Sequence, residues 1–295
     1  MDKSLDTIFN KGTKAKIVRL FVSGGAAFKA SGRHAAKLVG VSAPSAHTAL
    51  KELYREAVLH RDIIGRQHIY SLNTENEMTR KMLIPIFRKE ISFGREIKSH
   101  FSKHLKNRNV YIIAGSNGSG KTTFAKMFLP EYTGCKQFVN SDLIAQGLSP
   151  FSPQGAAMKA GRLVLERIDD LARQGLDFGF ETTLSGKFYI KRLENLKQKG
   201  YALHLFFLWI PSTELAIERI KDRIAEGGHN IPAQDVRRRF TRGIHNLFRF
   251  YRPILDSWML LDNSSTIPSL IAREKSQELV IVNETLHNKI LNMAR

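Results

Sequence analysis

Eight consecutive residues, Gly115-Ser116-Asn117-Gly118-Ser119-Gly120-Lys121-Thr122, follow the spacing GxxxxGK[ST]. Glycines at these positions let successive backbone N–H groups turn inward around phosphate oxygens, at the positive end of a helix. Lys121 is then expected to reach the β- and γ-phosphates, and the Thr122 hydroxyl to ligate Mg²⁺, with Thr123 next in the helix. The flanking residues suit the motif. Val110 to Ala114 is a short apolar run fit for a buried parallel strand, and Thr123 to Phe128 reads as helix. A site for ATP and Mg²⁺ is therefore expected at Gly115–Thr123.

Two acidic residues fall where chemistry on a phosphate would need them. Gln137–Asn140 reads as a second strand ending in Ser141-Asp142, and Leu176–Phe180 as a third ending in Glu181-Thr182-Thr183. In open parallel sheets, ligands sit beyond the carboxyl ends of the strands. A carboxylate there can take a proton from an attacking hydroxyl or hold the Mg²⁺ shell. Downstream, Glu218 to Arg242 carries Arg219, Arg223, Arg237, Arg238, Arg239 and Arg242 around Gly227-Gly228-His229. Two arginine-bearing helices about a Gly-Gly hinge suit a lid over a moving phosphoryl group, since Arg holds phosphate oxygens in a planar fork. A second nucleic-acid patch would use the same charges, and His229 lacks a second ligand for a metal.

The elements that must position these groups alternate strand and helix. A long helix is expected from Pro153 to Arg173 and another over 187–199. A strongly apolar strand spans Ala202 to Ile210, and a last strand Ser257–Asp262 completes a parallel sheet flanked by helices. The fold class is α/β.

The first part of the chain has a different pattern. Helical spacing over 12–23 and 35–39 is followed by Ser42, a candidate N-cap with Pro44 in its first turn. That helix runs through Leu50 and Leu53 towards Val58. Val58–Ile63 and Gln67–Leu72 then alternate like a hairpin turning near Gly65. This order, from Ser31 to Asn73, resembles winged helix-turn-helix regulators. The resemblance implies that the helix from Ser42 offers Ser45, His47, Thr48 and Lys51 to a DNA major groove, with Arg61 and Arg66 on phosphates. Winged helices also serve as protein-interaction modules. Met82, Leu83, Ile86, Phe87, Ile91 and Phe93 then read as one or two amphipathic connecting helices, interrupted at Pro85 and Gly94, whose apolar stripe is most simply core or domain-interface surface. The expected domains are 1–74, a connector over 75–108, and 109–295.

From Val110 to about Leu291 the chain resembles the zeta-toxin family of P-loop kinases, in its GGHxIP-containing branch. The carrying motifs are GSNGSGKTT, NSDLIAQGLSP, FETTLSG and RIAEGGHNIPAQDVRRRFTRGIHNL. The resemblance implies phosphorylation of a small-molecule hydroxyl, with UDP-N-acetylglucosamine as the best-known acceptor. Lys121 and Thr122 match the phosphate-loop pair, Asp142 the general base, and Glu181, with Thr182 beside it, the acceptor side. Arg223 and Arg239 match the γ-phosphate clamp, with Arg219, Arg238 and Arg242 as competitors. Zeta toxins are commonly paired with a separate helical antitoxin. Here a basic module precedes the kinase-like region in one chain, which implies restraint in cis, DNA-linked autoregulation, or both. Two other classes stay open: a DNA-binding regulator whose phosphate loop senses a nucleotide, and a nucleic-acid kinase, for which no aromatic stacking series is evident.

Composition bounds these readings. The 295 residues are 42% hydrophobic and 25% charged, a globular balance. One cysteine, Cys135, excludes a disulfide framework and a Cys-rich zinc site. No apolar run approaches the roughly 18–20 residues of a membrane span, and MDKSLDTIFNKG lacks a signal-peptide core, so a cytoplasmic protein is expected. The net charge is +19, from 46 Lys+Arg against 27 Asp+Glu. Residues 1–110 hold 21 basic and 9 acidic residues, a balance of +12 in the smaller part. Acidic partners of two kinds, polymer and nucleotide, would account for the excess.

Overall fold

The computed structural model describes residues 12–101, 108–149, 153–225, 231–265 and 267–294. The hinge residues Gly227, Gly228 and His229 lie outside the described residues. The chain divides into two compact units, Met1–Arg95 and Glu96–Arg295.

The first unit runs α1 (Thr13–Gly24), β1 (Lys29–Ser31), α2 (Gly32–Val39), α3 (Ala43–Arg55), β2 (Leu59–Ile64) and β3 (Gln67–Leu72). Ser31 and Ser42 cap the two short helices, each side chain accepting a backbone N–H three residues on. The expected hairpin pairs Leu59 with Leu72 and Ile64 with Gln67. A strand that was not expected, β1, adds to its other side, giving an antiparallel sheet in the order β1-β3-β2. Ile17, Val18, Phe21, Leu50, Leu53 and Tyr70 close the core. Each such side chain contributes about 1.5–3 kcal/mol when fully buried.

The connector is one continuous helical run. A π-helical turn, Thr79–Leu83, leads straight into α4 (Ile84–Phe101), which runs through Gly94 unbroken. Pro85 has no N–H to give the preceding turn and its ring needs room there. The wider π turn just ahead of it accommodates both. Leu83, Ile84 and Phe87 are buried in the core of the first unit, with Ile91 packed against it. Leu83, Phe87 and Ile91 of the apolar stripe thus serve this unit's own core, while Met82 is exposed. Arg19 holds Glu90 through Nε and Nη2, at 3.1 and 2.6 Å, and fastens α1 to α4.

The second unit runs β4 (Arg108–Gly115), α5 (Lys121–Phe128), β5 (Phe138–Val139), α6 (Ser141–Leu148), α7 (Pro153–Arg173) and β6 (Phe178–Thr182). It continues with α8 (Ile190–Gln198), β7 (Tyr201–Trp209), α9 (Thr213–Ala225), α10 (Ala233–Asn246), β8 (Ser257–Asp262), β9 (Ser269–Lys275), β10 (Glu278–Ile281) and α11 (Glu284–Ala294). The sheet order is β10-β9-β8-β7-β4-β6-β5. Five strands, β5, β6, β4, β7 and β8, are parallel, as expected for an α/β fold. Ser257–Asp262 is not the last strand, however. β9 and β10 add antiparallel at that edge. Antiparallel neighbours need no helical crossover, so the alternation that marks the other strands is missing here.

β7 is buried along its whole length, and β4 from Asn109 onward. His204 of β7 is fully buried and is satisfied on both sides, by β8 and by β4. Its Nδ1 is 2.8 Å from Ser257 Oγ and its Nε2 3.1 Å from Asn109 Oδ1. The chain leaves β4 towards β5 and β6 on one side, then crosses to β7 and β8 on the other. The carboxyl end of β4 therefore sits at the point where the strand order reverses, which is where such sheets open a crevice. Among the described residues, no helix is long and apolar enough to cross a membrane.

Candidate active site

A cleft of about 470 Å³ opens at that point. Its wall includes Asn117, Gly118, Gly120, Lys121, Thr122 and Thr123 of the loop and helix α5. Asp142, Glu181, Arg219 and Arg223 also line it. Three separate elements, α6, β6 and α9, thus converge on the loop. Gly115, Ser116 and Ser119 stand behind this wall, Ser119 fully buried.

The loop's shape is fixed by tight packing. Gly118 has φ +75°, and a Cβ there would meet the Ala216 carbonyl oxygen of α9 at 2.5 Å. Only glycine fits both conditions. From the other side, Asn263, just past β8, donates Nδ2–H to the Ser119 carbonyl at 2.6 Å.

Lys121 is 5% exposed. Its amine donates to the Ser116 carbonyl at 2.7 Å and lies 3.6 Å from Glu181 Oε1. Burial pushes the Lys121 amine below its ordinary value, with the neighbouring Glu181 and Asp142 charges opposing that shift. The Thr122 hydroxyl donates to Glu181 Oε2 at 2.6 Å, and Asn140 Nδ2–H donates to the same oxygen at 2.6 Å. Glu181 thus stands against the phosphate-loop pair itself, held at the end of β6 by the register Ile113–Glu181. Asp142 occupies the first turn of α6, whose N-terminus Asn140 caps. Thr182 accepts the Leu184 backbone N–H on its hydroxyl and does not line the cleft.

The arginines separate by geometry. Arg223, in the last turn of α9, lines the cleft. Arg239 of α10 donates Nη1–H to Asn117 Oδ1 at 3.2 Å, which brings it to the loop. Helix α10 can lie this close because Gly243, one turn on, leaves room for the Thr183 carbonyl, which a Cβ would meet at 2.6 Å. Arg219 also lines the cleft, but each of its Nη groups already donates one bond, to the Asn263 and Ser264 carbonyls at 2.9 Å. Arg238 pairs with Asp235 on the exposed side of its own helix, and Arg242 is exposed. Neither lines the cleft.

In the first unit Ser45, His47, Thr48, Lys51 and Arg66 are exposed. Ser45 and Ser42 share a hydroxyl contact of 2.7 Å, and Thr48 donates to the Pro44 carbonyl. Arg61 lies over the Tyr54 ring at 4.4 Å.

Asn140, Asn263 and the carbonyl-bound fork of Arg219 are parts of this site that reading by residue type missed. Asn140 and Asn263 follow the carboxyl ends of β5 and β8, so the rule that singled out Asp142 and Glu181 would have found both.

With this geometry in view, comparison with known proteins is informative. The zeta toxin family model matches residues 154–257. An uncharacterized protein of Haemophilus influenzae (strain ATCC 51907 / DSM 11121 / KW20 / Rd) is 32% identical over 136 residues, 46% of this chain and 94% of that protein. The chain is zeta-toxin-like and belongs to one family with this Haemophilus protein. Among solved structures, a chain of the AvrRxo1-ORF1:AvrRxo1-ORF2 complex with sulphate ions aligns at TM-score 0.52 and 18% identity, covering 73% of each chain. The AvrRxo1-ORF1:-ORF2 complex with ATP aligns at TM-score 0.51 and 18% identity, covering 70% of this chain and 72% of that one. These two likenesses show a shared fold, and the zeta-toxin-like protein carries a P-loop kinase fold.

Because Lys121 is buried with its charge disfavoured, folding holds fewer protons there than the unfolded chain does, up to the ordinary value of 10.5. Its contribution to stability therefore grows as pH rises through that window. Lys121→Met is expected to abolish nucleotide binding while leaving the thermal midpoint near pH 7 unchanged or higher. Calorimetric titration with ATP and a thermal melt of the same sample check both.

Proposed function

We propose that the protein is an ATP- and Mg²⁺-dependent kinase that transfers the γ-phosphate to a sugar hydroxyl of a nucleotide sugar, UDP-N-acetylglucosamine or a close analogue. It would act as a toxin restrained or autoregulated by its N-terminal unit. The observation that carries this reading is the convergence of Lys121, Thr122, Asp142, Glu181 and Arg223 on one cleft. The zeta toxin match and the ATP-containing AvrRxo1 complex support it.

The residues suit the chemistry. Thr122 and Glu181 offer only oxygen donors, the kind that Mg²⁺ prefers. Bound there, Mg²⁺ would neutralise phosphate charge and orient the triphosphate. Lys121 and the inward N–H groups of residues 115–122 bind the phosphate oxygens. The acceptor hydroxyl attacks the γ-phosphorus in line, and Asp142 takes its proton. The bond from the γ-phosphorus to the bridging oxygen breaks, and its electrons leave on ADP. Arg223 and Arg239 offset the charge on the transferring group. Incubation with Mg·ATP and a panel of nucleotide sugars should add one phosphate to one of them, read by mass. Asp142→Asn should cut that product by about 10²-fold or more and leave ATP binding intact. A wild-type protein that binds ATP and phosphorylates nothing in the panel would favour a nucleotide-sensing regulator instead.

For the first unit we infer a winged helix that binds DNA. The exposed Lys51 and Arg66, beside exposed Ser45, His47 and Thr48, support phosphate and groove contacts. Binding of the full chain to its own promoter duplex should weaken linearly in log[salt]. Lys51→Ala with Arg66→Ala should reduce that slope by about 2. Restraint in cis rests on the covalent fusion alone, now that Leu83, Ile84 and Phe87 are accounted for as core of the first unit. Removing residues 1–108 should raise ATP turnover per molecule. Unchanged turnover and unchanged toxicity would leave DNA binding as the sole role of that unit.

A further inference from the structure

We propose that Asn140 is a positioning residue that sets the hydrogen-bond polarity of the phosphate cleft. It orients the Thr122 hydroxyl and ties Glu181 and the Asp142 helix into one register. The proposal rests on the phosphoryl-transfer reading above and names a further residue of that same site.

Asn140 is 4% exposed and stands between β5 and α6. Its Oδ1 accepts the backbone N–H groups of Asp142 and Leu143, at 2.8 and 3.0 Å. A backbone N–H can only donate, so this end of the amide must be the oxygen. The Nδ2 group then faces the cleft, with two hydrogens and two acceptors in reach. Glu181 Oε2 is 2.6 Å away and Thr122 Oγ1 3.2 Å away.

The Thr122 hydroxyl has one hydrogen and two lone pairs. Since the amide only donates, Thr122 accepts on that side and must give its hydrogen to Glu181, 2.6 Å away. One lone pair remains for a ligand in the cleft. Without Asn140 the hydroxyl is held by Glu181 alone, and Glu181 Oε2 loses its second donor. One side chain thus joins the phosphate-loop helix, the end of β6 and the helix that bears Asp142.

The two halves of the amide can be tested separately in the full chain. Asp caps a helix as well as Asn does, so Asn140→Asp keeps the bonds to Asp142 and Leu143. It replaces the donor with a carboxylate oxygen that cannot donate to Glu181 or Thr122 and repels the Glu181 charge. The other charged groups around it are Lys121, 3.6 Å from Glu181, Asp142 on α6, and Arg223 on the cleft wall. Asn140→Ala removes cap and donor together.

Binding of Mg·ATP is followed by calorimetry, alongside the thermal midpoint. Asn140→Asp is expected to melt close to wild type and to bind about tenfold or more weakly. Asn140→Ala should melt lower and also bind weakly. Wild-type affinity in Asn140→Asp, or a loss of affinity in it matched by an equal loss of thermal midpoint, would overturn the proposal while leaving the nucleotide site standing. Wild-type protein that binds no Mg·ATP would overturn the phosphoryl-transfer reading and, with it, the role given to Asn140.

Discussion

A buried ammonium group is the constraint around which the larger unit is organised. Taking the Lys121 amine out of water is costly unless polar partners surround it. The chain supplies the Ser116 carbonyl at 2.7 Å and the Glu181 carboxylate at 3.6 Å, and these do not fully offset the burial. An incompletely compensated cation at the head of a helix is a site waiting for an anion, because the helix N-terminus adds partial positive charge of its own. The surrounding elements make sense as supports for that arrangement. β4 delivers the loop, β6 delivers Glu181, and the β8 end pins the loop through Asn263. Ala216 of α9 closes on Gly118 so tightly that no side chain fits there.

What the sequence discloses of this site depends on whether its parts are contiguous. The phosphate loop is one run of eight residues whose spacing carries the geometry, so it can be read without a structure. Asp142 and Glu181 were legible for a second reason: each follows an apolar run, and strand ends are where such sheets bind ligands. The arginines were not separable by type. Arg219, Arg223, Arg238 and Arg239 look alike in a basic stretch, and only tertiary contacts distinguish a fork held by the Asn263 and Ser264 carbonyls from one that reaches Asn117. Asn140 was legible as a strand-end residue, but only its bonds to residues 18 and 41 positions away separate it from an ordinary helix cap.

The fold follows the same division. Parallel strands separated by helices announce themselves through the change of hydrophobic period. The antiparallel pair β9 and β10, joined by a two-residue turn at Ser276 and Gln277, offers no such change and went unread. In the smaller unit, β1 is three residues long, too short for alternation to register. Pro85 and Gly94 look like breaks because proline and glycine disfavour helix interiors. A π turn absorbs the first. The second costs only about 1 kcal/mol, which the buried Leu83, Ile84 and Phe87 of the same helical run outweigh.

The net charge of +19 also takes on a different meaning once the groups are located. In the larger unit, part of the positive charge is already committed. Arg219 binds carbonyls, Arg192 pairs with Asp169, Arg252 with Glu274, and Lys197 with Asp256. Arg223 and Arg239 differ from these in facing the loop, one on the cleft wall and the other on Asn117. Two guanidinium groups brought to a loop that already holds a buried lysine repel one another and the lysine, and Arg223 itself pushes the Lys121 amine downward. The charge of three cations concentrated there is only partly offset by Glu181 and Asp142. It is explained by a ligand carrying several negative charges, for which each of the three is a partner, and a triphosphate meets that requirement better than a single carboxylate or phosphate would.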